Sequence, residues 1–255
     1  MFFNKNWIDA ELKAGKNPGA FSASTIPSVH PYILTNYHGK TRDVMTLAHE
    51  LGHGCHQFLS SEQGMLLSNT PLTLAETASV FGEMMTFRNL LNSSSTKDKK
   101  FLLSSKIEDM INTVVRQISF FEFEKVIHSE RKTGELSSER ISEIWMETQS
   151  KSLGPSIELS GNYKYYWTYI PHFIHTPFYV YAYAFGDCLV NILVQLFDEN
   201  YPNFKNLYLD LLKSGGSKHY SNVLKPFNID LKNNKSWDKG LSLITSLIDD
   251  FENSL

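Results

Sequence analysis

Cysteine is scarce: Cys55 and Cys188 are the only two in 255 residues. Two thiols cannot form the disulfide framework of a small secreted domain, and both fall in stretches that read as helix. Free, reduced thiols and a cytoplasmic location are therefore expected. A basic excess is also missing, with 24 Lys and Arg against 27 Asp and Glu and a net charge of −3. With no surplus of cations to replace phosphate counterions, a nucleic-acid partner is disfavoured. The one dense basic cluster is Lys97–Lys100. Long apolar runs are absent too. The nearest candidate for a membrane span, Phe178–Phe197, carries Asp187, Asn191 and Gln195 at four-residue steps. That polar stripe suits a buried helix beside a polar cavity, so no membrane association is expected. At the start, Asn4, Lys5 and Asn6 interrupt the apolar residues before a signal peptide can form.

What the chain does have is an ordinary globular composition, 42% hydrophobic and 20% charged, with length for one large domain. The patterning is mainly α. Helices are expected at 6–13, 41–60, 71–91, 97–132, 137–152, 177–199, 203–214 and 237–253. His30–Tyr37, rich in β-branched and aromatic residues, reads as a strand beside the second of these. It can be a plain structural strand, or an edge that pairs with an extended peptide. An aromatic loop is expected between Leu153 and His175.

The strongest local signal lies in Thr41–Ser60, read as a helix of about five turns capped by Thr41. It contains His49-Glu50-Leu51-Gly52-His53. Residues four apart share one helix face, so both imidazoles can meet a single point while Glu50 points to one side of it. This is the arrangement of a zinc ion held by two histidines with a carboxylate beside the water. A third ligand has to come from elsewhere. Glu76 lies 23 residues beyond His53, one loop away on the next helix. It can be that ligand, or it can close a capping box with Thr73. Glu83, two turns further on the same face, can bond the second nitrogen of a zinc-bound histidine or can stand solvated at the surface. His56 reads as a pocket-wall or packing residue. Tyr179, Tyr183, Asp187, Asn191 and Gln195 line one face of the 177–199 helix. Taken alone, that stripe reads first as aromatic core, and alternatively as phenols able to donate to an oxyanion.

Three blocks together, Thr46–His56, Pro71–Glu83 and Ile170–Tyr183, resemble the oligoendopeptidase F branch of the thimet oligopeptidase family, over about Gly15–Leu231. The resemblance implies a zincin-like helical catalytic domain that cleaves internal bonds of short oligopeptides. It implies His49, His53 and Glu76 as ligands of one Zn2+ and Glu50 as the catalytic carboxylate. His175, Tyr179 and Tyr183 are implied to hold the substrate carbonyl, His175 best matching the family's histidine. It also implies a further helical lobe ahead of the catalytic part, so 1–255 is expected to be the catalytic domain alone. The alternative expectation is a zinc-containing peptide-binding piece without turnover.

Overall fold

In a computed structural model, described over residues 1–254, the chain divides into two compact units: Met1–Ile107 with the chain from Gly186 onward, and Glu108–Phe185. The mainly helical class is as expected.

The first unit opens with a small sheet of β1 (Ile8–Asp9), β2 (Phe21–Ala23) and β3 (Tyr32–Leu34). Its order is β1-β3-β2, with β1 parallel and β2 antiparallel to β3. The expected helix at 6–13 is absent. Trp7 and Asp9 instead offer their carbonyls to the amides of Ile33 and Thr35, both at 2.9 Å, and Trp7 stacks on His30 with ring centroids 3.8 Å apart. These long-range pairings outweigh a weak helical propensity. The 30–37 strand shrinks to Tyr32–Leu34 and is central, not an edge, so both its hydrogen-bonding sides are taken.

Helix α1 (Thr41–Ser60) is the backbone of this unit. Its cap is Lys40 rather than Thr41: Asp43 Oδ2 accepts the amides of His38 (2.8 Å) and Lys40 (2.9 Å). A charged acceptor that takes two amides outcompetes a hydroxyl. Gln57 ties α1 to β2, its Nε2 donating to Ser22 O (3.1 Å) while Ser22 Oγ donates to its Oε1 (2.7 Å). The expected helix at 71–91 is split. Pro71 caps a 3-10 stretch, Leu72–Thr77, and α2 runs only over Ser79–Ser93. Gly52 is what lets α1 and α2 close on each other. A Cβ there would lie 2.4 Å from Ala78 O and 2.5 Å from Ser79 Cα.

α3 (Thr96–Ile111), a π turn over Asn112–Arg116 and α4 (Gln117–Glu130) follow as near-continuous helix. The second unit is built on α4, α5 (Ser138–Leu153, capped by Ser137), a 3-10 stretch Gly161–Tyr169 and the short α6 (His172–His175). Phe120, Phe123, Ile144, Trp145, Ile170 and Val180 form its core. The expected aromatic loop is thus largely helical, because Trp145 Nε1 donates to Tyr163 O (3.0 Å) and pins it. The remaining helices are α7 (Tyr181–Asp198), α8 (Phe204–Lys213), α9 (Tyr220–Leu224) and α10 (Asn234–Glu252). Among the described residues, no helix is long and apolar enough to cross a membrane.

Candidate metal centre

Helical spacing puts His49 and His53 on one face of α1, with ring centroids 4.8 Å apart. The 3-10 stretch that leads into α2 then carries Glu76 across to them. Its Oε2 lies 3.4 Å from Nε2 of His49 and 3.4 Å from Nε2 of His53. All three ligand atoms fall within 4.8 Å of one another. Ser79 Oγ donates to the same Glu76 oxygen at 2.6 Å, which fixes the carboxylate. No side chain caps the 3-10 stretch, so Glu76 is not spent on a capping box with Thr73. Gly186, early in α7, leaves room for it: a Cβ there would stand 3.0 Å from Glu76 Cβ.

His49 is oriented from behind. Its Nδ1 donates to Glu83 Oε2 at 3.2 Å, which turns Nε2 toward Glu76 and His53. Glu83 Oε1 in turn accepts from Lys106 Nζ at 2.7 Å. Burial works against the Glu83 charge, yet His49 and Lys106 outweigh it and hold the carboxyl down at about 2. Lys106 was not among the sequence candidates, although the signal was present. It shares one face of α3 with Leu103 and Met110, both buried, and a lysine in an apolar stripe needs a partner.

Glu50 is 7% exposed, and its Oε2 is buried without a hydrogen-bond partner. Burial raises its pKa, the His49 charge lowers it and the Glu76 charge raises it, with a net upward shift. A carboxylate with an open buried oxygen and raised basicity beside two imidazoles and a second carboxylate suits a zinc ion with a water on it. The donor set, two nitrogens and one carboxylate, therefore fits zinc with one position left open. His56 is buried, donates to or accepts from Thr70 Oγ1 at 3.2 Å, and burial pushes it down to about 4. It is neutral, and together with His53, Gln57 and Ser60 it lines a cavity of about 240 Å³.

In the second unit, His172, Tyr179 and Tyr183 form a cluster. The His172 and Tyr179 rings stack at 5.4 Å, and Tyr183 Oη lies 3.2 Å from His172 Nε2. His175, three residues on, ends α6 exposed to solvent. Tyr179 lies outside α7 rather than on its first turns. Phe178 has a left-handed φ of 61° and donates its amide to Glu124 Oε1 at 2.7 Å, which stops the helix from starting earlier.

Asp187, from the polar stripe, is 4% exposed and accepts from Asn191 Nδ2 at 3.1 Å. Burial raises its carboxyl from 3.8 to about 6, against the attraction of Lys106 and the Asn191 bond and with the repulsion of Glu83. The folded state therefore binds this proton more tightly than the unfolded chain does. Its contribution to stability is complete below about pH 4 and is lost as pH rises through about 6. Asp187→Asn is expected to remove that slope and to raise stability at pH 7 by about 2–3 kcal/mol at most. Thermal melts of parent and variant from pH 4 to 7 measure it, the gap between the two widening with pH.

The mainly helical architecture is of the zincin-like type, and two histidines and a glutamate from α1 and the segment after it form a group that could hold a metal. The chain belongs to Peptidase family M3, whose sequence model matches residues 1–243. Among curated relatives, an oligoendopeptidase F homolog of Borreliella burgdorferi is 36% identical over 231 residues, which is 89% of this chain and 39% of that protein. The oligopeptidase PepF of Bacillus subtilis is 30% identical over 253 residues, 98% of this chain and 37% of that one. The crystal structure of oligoendopeptidase-F from Enterococcus faecium superposes with a TM-score of 0.70 at 26% identity, covering 85% of this chain and 41% of that chain. This chain thus spans about two fifths of the length of the curated relatives it matches.

Proposed function

We propose that this chain carries the catalytic part of a zinc-dependent oligopeptidase that hydrolyses internal bonds of short peptides. The observation that carries the reading is the convergence of His49, His53 and Glu76, with the buried Glu50 carboxyl close enough to feel the charges of His49 and Glu76. The family, and relatives described as oligoendopeptidases and oligopeptidases, support the substrate class.

In this reading His49 Nε2, His53 Nε2 and a Glu76 oxygen hold the zinc. Zinc held there supplies Lewis acidity, lowering the pKa of water and polarising a carbonyl oxygen. Glu50 takes the proton of the attacking water and returns a proton to the leaving amine. Glu83 keeps His49 in the tautomer with Nε2 unprotonated. The resemblance assigns His175, Tyr179 and Tyr183 to the substrate carbonyl, and we retain them as proposed donors to the developing oxyanion. Within the second unit, His172 contacts both tyrosines.

The test is hydrolysis of a quenched fluorescent peptide by the 255-residue chain, with and without a chelator. Cleavage that stops on chelation and returns with added zinc supports the reading. Zinc uptake and peptide binding with no cleavage would favour a binding piece without turnover. Cleavage indifferent to chelator would overturn the metal.

A further inference from the structure

Glu83 is held at both ends. One carboxylate oxygen receives the His49 Nδ1 proton (3.2 Å) and the other the Lys106 ammonium (2.7 Å). A carboxylate bonded through one oxygen only can swing about its last torsion. With the second oxygen fixed on a side chain that is itself 6% exposed, it cannot. The ammonium comes from α3, the carboxylate from α2 and the imidazole from α1, so the chain of contacts ties three helices to one nitrogen.

The Lys106 charge also reaches α7. Asp187 and Asn191 are 4% and 0% exposed, and the Lys106 charge acts on Asp187. One residue earlier, Gly186 packs against the stem of Glu76. The same turn of α7 therefore packs against the third ligand and carries a carboxyl that feels the Lys106 charge. A buried lysine needs a counter-charge wherever it sits. Here its counter-charge is the acceptor for a metal-ligand histidine, although solvated carboxylates are common on this chain.

We propose that Lys106 is a positioning residue of the metal centre: it locks Glu83 so that His49 presents Nε2 to the site, and thereby raises metal affinity. This rests on the reading of His49, His53 and Glu76 as zinc ligands. A lysine that merely neutralised a buried carboxylate would change the stability of the metal-free fold and leave zinc affinity alone. Two readouts are therefore needed.

The experiment measures zinc affinity by competition with a chromophoric chelator on the full chain, for the parent, Lys106→Met, Glu83→Gln and the double variant. Thermal melts of the metal-free proteins run alongside. Lys106→Met is expected to weaken zinc binding about 10–100-fold, the range for loss of an outer support. In the Glu83→Gln background the same change should cost less than about threefold, because its route to His49 is already cut. Lys106→Gln, which keeps an uncharged donor one bond shorter, is expected to lose about tenfold, the low end of that range, and serves if the methionine variant does not fold. Parental zinc affinity in Lys106→Met or Lys106→Gln would overturn the proposal, as would an equal loss in both backgrounds. If the parent itself binds no zinc, the ligand assignment fails first and the positioning role with it.

Discussion

Glu50→Gln is expected to cut the turnover of a cleavable peptide by about 10²–10⁴-fold, the span that general acid–base catalysis supplies. Zinc content should stay at the parental level, because Glu50 is not among the three residues whose ligand atoms converge. Glutamine matches glutamate in volume, so the 7% exposed position stays filled. What disappears is the basic lone pair. The partnerless Oε2 becomes an amide group or a carbonyl, neither of which can take a proton from water near neutral pH. Measuring kcat on a quenched fluorescent peptide together with metal content separates the two effects. A variant as active as the parent would remove Glu50 from the chemistry.

Gly52→Ala is the second large expectation, and it acts through packing. The added Cβ would meet Ala78 O at 2.4 Å and Ser79 Cα at 2.5 Å, and both are backbone atoms that cannot rotate away. The start of α2 would have to withdraw from α1 by about 1 Å, at a cost of about 1–3 kcal/mol or more. Helix propensity offsets about 1 kcal/mol of that. Glu76 lies two residues before the displaced backbone and Glu83 four residues after it, so zinc affinity should fall by about tenfold or more, in the range seen when supports of a metal ligand are disturbed. Gly82→Ala is the control. Its Cβ would lie 3.4 Å from Ala48 O, an ordinary contact, so stability should hold or rise slightly. Chelator competition and thermal melts on both variants read the difference.

How much of this was legible in the sequence follows the range of the interactions involved. α1 could be read because its evidence is local: apolar periodicity and two histidines four apart on one face. The convergence of Glu76 could be read because a short loop limits where the next element can go. Its backbone could not. The 3-10 turn depends on Leu74 donating its amide to Pro71 O at 2.8 Å, a choice that residue pattern alone does not make. The 6–13 helix was misread because Trp7 and Asp9 are claimed by β3, 26 residues away in the Trp7–Ile33 bond, and no local window contains that partner. Lys106 was visible as a lysine in an apolar face, but its meaning needed Glu83 from a different helix. That Tyr179 falls outside α7 could not be read either, because it depends on one left-handed residue, Phe178, whose φ of 61° no propensity for phenylalanine suggests.

The most direct test of the account is the zinc content of Glu76→Ala measured beside the parent, after loading with zinc and removal of the excess. Glu76 is the proposed ligand that no short motif supplies, and its oxygen stands 3.4 Å from both histidine nitrogens. The account predicts close to one zinc per parental chain and a small fraction of that in the variant. Full occupancy in Glu76→Ala, or none in the parent, would contradict it.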